Sequence, residues 1–258
     1  MSARENAPLG SPCWVDLMSG DAERARAFYG ELLGWGCEDG DPQFGGYANF
    51  TKDGKWIAGL MPKMEEGLPD VWSVYLEVDD AEAAVARAKE KGGQVFAGPM
   101  AVADLGVMVV AADSAGAMIG MWQPGEHPGF STWMEPGAPG WFELHTRDLD
   151  GSIGFYQDVF GWETRVESDT PEFRYVTEVQ GELQYAGVMD ASGFLPEGVP
   201  NHWSVYFDVA DIDASCALVE KLGGSVVMAP EDTPYGRLAT LTDPMGAMFK
   251  LHQDLPQS

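Results

Sequence analysis

The chain has 258 residues, with 15 Lys and Arg against 41 Asp and Glu and a formal net charge of −26. That balance excludes nucleic acid and anionic membranes as partners, because little is available to replace the counterions of a phosphate backbone, while a cationic small molecule stays compatible. With 45% hydrophobic and 22% charged residues the composition is that of a folded protein, and at roughly 100–200 residues per domain the length predicts two domains. Cys13, Cys37 and Cys216 are far apart and form no CxxC pair, so neither a disulfide framework nor a structural zinc site is expected. The N-terminus, with Arg4 and Glu5, carries no apolar leader run, and runs such as 107–112 are too short to cross a bilayer. A cytoplasmic protein is expected, as a monomer or homodimer.

In chain order, a first strand carries Trp14-Val15-Asp16-Leu17. A helix follows, with Ala25, Phe28, Tyr29 and Leu32 on one face, Asp21 and Glu23 at its start and Gly34 at its stop. Runs at 46–51 and 56–61, bounded by Gly, Pro and Asp, read as strands. WSVYLEV from Trp72 leads into a second helix capped by Asp79 or Asp80, with Ala81, Ala84, Val85 and Ala88 inward and Lys89, Lys91 and Gly92 closing it. Strands at 107–112 and 117–122 end this half. Residues 123–140, with four prolines and four glycines, read as the linker, and His127 within it is expected to be solvated.

The pattern then repeats. Trp141-Phe142-Glu143-Leu144 matches the first strand, and Phe155-Tyr156 with Gly161-Trp162 matches Phe28-Tyr29 with Gly34-Trp35, both at an offset of 127 residues. WSVYFDV from Trp203 and Gly223-Gly224 match WSVYLEV and Gly92-Gly93 at an offset of 131. In the last helix Ile212, Cys216, Val219 and Leu222 share the inner face, which makes Cys216 a core residue. Domains are expected over residues 10–125 and 137–254, joined by 126–136, each with its own core. Strand, helix and three strands taken four times is an α+β fold: two tandem domains, each of two βαβββ modules, forming a curled, mostly antiparallel sheet with helices outside.

With FYxxxxGW at Phe28 to Trp35 and Phe155 to Trp162, LEVDD at 76–80, FDVADID at 207–213 and DPMGAMFKL at 243–251, the chain resembles the vicinal oxygen chelate superfamily, which holds glyoxalase I, bleomycin-resistance proteins and extradiol dioxygenases. The resemblance implies a divalent metal on the concave face, held by His, Gln or Glu at first-strand positions and Glu near the end of last strands. Those positions here carry Trp14, Ser73, Trp141 and Ser204, and Ala58, Gly120, Tyr185 and Lys250. None is a usual metal ligand, and Lys250 would repel a metal, so no cofactor is expected. A noncanonical divalent site built from Glu143, His145, His202 and His252 is the alternative.

Alternation along the strands sends Trp14, Asp16, Tyr75 and Trp122 into the first trough. It sends Trp141, Glu143, His145, His202, Ser204, Tyr206, Lys250 and His252 into the second. Aromatics with a few polar groups make a small-molecule pocket, or else large side chains filling a closed trough as core. Glu143 and His145 serve as acid and base or as a satisfied polar pair. Trp203 falls on the opposite face and is expected in the core. Met61, Met64, Met100 and Met108 are scattered, which suits adaptable packing. Two functions follow: a metal-free protein binding an aromatic, amphipathic or cationic molecule, or a glyoxalase-like lyase, isomerase or oxygenase working in the second domain.

Overall fold

A computed structural model describes residues 7–63 and 65–255; Arg4, Glu5 and Met64 lie outside the described residues. The first half runs β1 (Pro12–Ser19), α1 (Ala22–Leu33), β2 (Gly36–Cys37), β3 (Ala48–Lys52), β4 (Lys55–Pro62), β5 (Val71–Glu77), α2 (Ala81–Glu90), β6 (Gln94–Val102), β7 (Gly106–Ala112) and β8 (Met118–Pro124). The second repeats it as β9 (Pro139–Thr146), α3 (Leu149–Phe160), β10 (Glu163–Asp169), β11 (Arg174–Gln180), β12 (Leu183–Asp190), β13 (His202–Asp208), α4 (Ile212–Lys221), β14 (Ser225–Thr233), β15 (Gly236–Thr242) and β16 (Met248–Gln253). All four helices start alike: the carboxylates of Asp21, Asp80, Asp148 and Asp211 accept from backbone N–H groups at Arg24, Ala83, Gly151 and Ala214. Asp80, not Asp79, is therefore the cap of α2.

Each half forms one eight-stranded mixed sheet, ordered β2-β3-β4-β1-β5-β8-β7-β6 and β10-β11-β12-β9-β13-β16-β15-β14. The inner strands of each module pair in parallel, β1 with β4 and β13 with β16 among them, and the two modules meet antiparallel at β1–β5 and β9–β13. Among the described residues each sheet draws its strands from one half of the chain.

The cores are nevertheless continuous: one buried apolar cluster runs through both halves. The sheet faces opposite the troughs turn toward each other, Trp72 and Phe207 meeting at 5.2 Å between ring centroids. The repeated motifs make this junction. Tyr29 donates to Asp243 Oδ2 at 3.2 Å and accepts from Trp72 Nε1, and Tyr156 donates to Asp113 Oδ2 at 3.1 Å and accepts from Trp203 Nε1. The indoles ending the two FYxxxxGW motifs donate across the halves as well, Trp35 to Gly137 O at 2.6 Å and Trp162 to Gly10 O at 2.7 Å. The glycine pairs serve the same junction. Gly92 and Gly223 take φ of +87° and +88° to end their helices, and a Cβ on Gly93 would lie 2.9 Å from Phe155 of the other half.

This packing replaces the expectation of two separate cores, because α1 and α3 spend their apolar faces partly on the opposite half. Expressed alone, either half should therefore aggregate, whereas the two expressed together as separate chains should co-purify as one folded unit. Two independently soluble halves with sharp separate melts would contradict the shared core.

Candidate functional site

In β9, alternation places Glu143 and His145 on the trough face, and sheet register sets Ser204 opposite Glu143, His202 opposite His145 and Tyr206 opposite Trp141. The parallel pairing of β13 with β16 then puts Lys250 beside Tyr206. The Lys250 ammonium donates to Glu143 Oε1 at 2.9 Å and to the Tyr206 hydroxyl at 2.8 Å, and lies 2.9 Å from His145 Nε2. Glu143 also accepts from Tyr206 at 2.7 Å and, on its other oxygen, from Tyr175 at 3.0 Å. Its Oε1 is 2.8 Å from His145 Nε2. Burial pushes the Glu143 pKa up, but Lys250 and then His145 outweigh it, so the carboxyl is held well below its usual range.

Around this floor, Trp141 is half-buried and donates from Nε1 to the Tyr175 hydroxyl at 2.9 Å. The His202 ring lies parallel to His145 at 5.1 Å, and its Nδ1 is 2.9 Å from Pro200 O. Burial lowers the His202 pKa, only partly offset by the Pro200 carbonyl, which favours neutral imidazole. Phe194 and Tyr235, both more than half exposed, stand at the edges, 5.9 Å from His145 and 6.2 Å from Tyr175. Alternation in β9, β13 and β16 thus brings together Trp141, Glu143, His145, His202, Ser204, Tyr206 and Lys250. Tyr175 escaped sequence reasoning. Its signal was Gly187 on the neighbouring strand, where a Cβ would lie 2.0 Å from the Tyr175 hydroxyl; Gly59 and Tyr47 hold the same relation in the first half.

His252 stands apart from this cluster. Its Nδ1 is 2.7 Å from Asp208 Oδ1 and its Nε2 is 3.0 Å from Tyr235 O, so both nitrogens face oxygen acceptors, which favours the charged imidazolium. The Asp208 hydrogen bond raises the His252 pKa against the effect of burial. Asp208 is itself raised by burial, but the two acceptors decide where the proton sits. The pair contributes stability that is full below the unfolded imidazole value of about 6.5 and is lost as pH rises through the raised folded value. In His252→Gln the decline of unfolding free energy above about pH 6.5 should shrink. An unchanged pH slope in denaturant melts would contradict the charged pair.

The first trough departs from the second. Trp14, Asp16, Tyr75 and Trp122 do come together, but Gly120 stands where the second trough has Lys250, and the Tyr75 ring lies against it. Asp16, hydrogen-bonded to Tyr75 and Ser73 without a basic partner, has its pKa raised by burial to about 6. His127 is not solvated. The linker crosses this trough through His127 N to Leu105 O and Phe130 N to Cys13 O, and it inserts the imidazole among Trp14, Trp56 and Trp122 at centroid distances of 4.3, 5.1 and 5.5 Å. Burial lowers the His127 pKa to about 4. The glycines and prolines of the linker serve a packed path, with Phe130 stacked on Phe142 and Trp133 on Tyr185.

The donor set does not fit a divalent cation. The ligand types nearest each other, Glu143 and His145, already face the Lys250 ammonium, and both His252 nitrogens are taken up by Asp208 and the Tyr235 carbonyl. Among the described residues no group of three His, Cys, Asp or Glu is placed to hold a metal.

The family model for the Glyoxalase/Bleomycin resistance protein/Dioxygenase superfamily matches residues 13–121 and 138–251. The Mycobacterium tuberculosis protein named "Putative glyoxylase CFP32" is 36% identical over 263 residues, covering 100% of both chains. Anthracycline biosynthesis protein DnrV of Streptomyces peucetius is 35% identical over 260 residues, covering 94% of this chain and 92% of that protein. Among solved structures, the Mn(II)-bound glyoxalase from Novosphingobium aromaticivorans superposes with a TM-score of 0.67 at 14% identity, covering 96% of this chain and 83% of that one. The 2,3-dioxygenase LapB from Pseudomonas sp. KL28 gives 0.67 at 13% identity, covering 97% and 94%. At such identities the solved structures share the fold alone. By the family match over most of its length, this chain belongs to the glyoxalase/bleomycin resistance protein/dioxygenase superfamily.

Proposed function

We propose that this protein binds a small aromatic or amphipathic molecule in the trough of its second half, without the metal site usual in the family. The observation that carries this reading is the Lys250 ammonium, seated 2.9 Å from both Glu143 and His145. A fixed cation paired with an ionised carboxylate and lying over the Tyr206 ring makes the floor, and Trp141 and His202 supply flat walls for a ring system. Phe194 and Tyr235 at the edges extend the aromatic surface to solvent. The first trough, closed by its own linker at His127, acts as scaffold. The name of the Streptomyces peucetius relative ties that protein to anthracyclines, which are polycyclic aromatic compounds, and this supports an aromatic ligand here. The acidic surface favours a ligand that also carries positive charge. We place the protein in the cytoplasm, as a monomer or homodimer.

A second reading rests on one contact. Glu143, ionised and 2.8 Å from His145 Nε2, forms a carboxylate–imidazole pair suited to acid–base work, which favours a glyoxalase-like lyase or isomerase over an oxygenase.

The binding reading is tested with a thermal-shift screen of polycyclic quinones and aromatic amines. Trp141→Ala should weaken the affinity of a stabilising compound by about 1–3 kcal/mol. Unchanged affinity in a folded Trp141→Ala variant would remove Trp141 from the ligand wall.

A further inference from the structure

We infer that Lys250 is the resident cation of the second trough and that its ammonium, by filling the point on which Glu143 and His145 converge, keeps a divalent metal ion out of this trough. This rests on the metal-free reading above and deepens it. Three groups converge on a single Lys250 Nζ: a carboxylate oxygen of Glu143 at 2.9 Å, an imidazole nitrogen of His145 at 2.9 Å and the Tyr206 hydroxyl at 2.8 Å. The ammonium donates to Glu143 and Tyr206 and has His145 Nε2 as its third neighbour, so it fills the point on which these side chains converge. Oxygen and imidazole-nitrogen donors turned toward one point are what a first-row divalent ion takes. The donors are held by the fold and not by the lysine. Glu143 and His145 are one alternation apart on β9, Tyr206 lies on the adjoining β13, and Tyr175 fixes the carboxylate through its other oxygen at 3.0 Å.

The first trough shows the consequence of having no such cation. It has Gly120 in the place of Lys250, a methionine, Met18, in the place of His145, and a buried carboxylate, Asp16, whose pKa burial raises to about 6. A trough carboxylate without a cation holds its charge less firmly than Glu143 does beside Lys250. In the second trough His145 adds a second strong donor, so after loss of Lys250 the site should recruit a metal ion instead, with water completing the coordination.

The test is a Co(II) titration of the full chain at pH 7, after treatment with chelator, in wild type and in Lys250→Ala. The variant should bind one Co(II) at least 100-fold more tightly than wild type, with visible d–d absorption bands that vanish when His145→Ala is added. Lys250→Gly, which copies the residue of the folded first half, gives the same readout if Lys250→Ala does not fold. A folded variant that binds Co(II) no better than wild type, or binding that survives His145→Ala, overturns the inference and leaves the metal-free reading standing. Tight Co(II) binding by wild type itself would instead overturn that reading, and this inference with it.

Discussion

Trp203→Ala should lower the unfolding free energy by about 3–5 kcal/mol, the cost of emptying a large, well-packed aromatic site. Trp203 faces away from the trough, is 7% exposed, and donates from Nε1 to the Tyr156 hydroxyl at 2.8 Å. That hydroxyl is in turn bonded to Asp113 of the other half. Truncation therefore opens a cavity beside Trp162, whose ring is 6.1 Å away, and leaves a buried tyrosine hydroxyl short of its donor at the junction of the halves. Trp141, half-buried on the opposite face, should cost much less in stability. Equilibrium urea unfolding of the two variants makes the comparison, and a loss below about 1 kcal/mol for Trp203→Ala would contradict a shared core built on these motifs.

Lys250→Met should also cost about 3–5 kcal/mol at pH 7, because it leaves the Glu143 charge buried without its cation. Methionine keeps an unbranched stem over the Tyr206 ring, where the ammonium now lies 4.6 Å from the centroid, so the charge is what is lost. The sign of the pH dependence should reverse as well. In wild type the folded Glu143 pKa lies below the unfolded value of about 4.3, so its contribution is present above that value and is lost as pH falls through the folded one. In the variant, burial dominates as it does for Asp16, and the folded pKa moves above the unfolded one. Stability then falls as pH rises from about 4 through the raised value. A pH profile parallel to that of wild type would show that Lys250 does not hold the carboxylate ionised.

The loudest features of the sequence encode architecture. FYxxxxGW, WSVY and the glycine pairs repeat because both halves use them in the same roles, and the tyrosine and tryptophan of each FYxxxxGW bond partners from the opposite half at the junction. This is also why the repeat predicts two domains but not their shared core: periodicity marks an apolar face without saying which surface covers it. The candidate site sits where the halves differ, at Asp16 against Glu143, Met18 against His145 and Gly120 against Lys250. Alternation and strand pairing are local enough to place Glu143, His145, Tyr206 and Lys250 in one trough from the sequence alone. The path of the linker is not, since nothing within 123–140 states that His127 turns back into a cage of tryptophans from three different strands. His252 shows the same limit: alternation gives its face correctly, while its partners Asp208 and Tyr235 come from a neighbouring strand and a hairpin turn.

Elemental analysis of protein purified without chelator, alongside native mass spectrometry of the same sample, decides whether the cation of the second trough is a lysine or a metal. Less than about one tenth of an equivalent of Zn, Ni, Fe, Mn or Co per chain is expected, because a metal site needs several correctly typed donors and Glu143 and His145 already face Lys250. One equivalent of metal per chain, lost on changing His145 or His202, would contradict it.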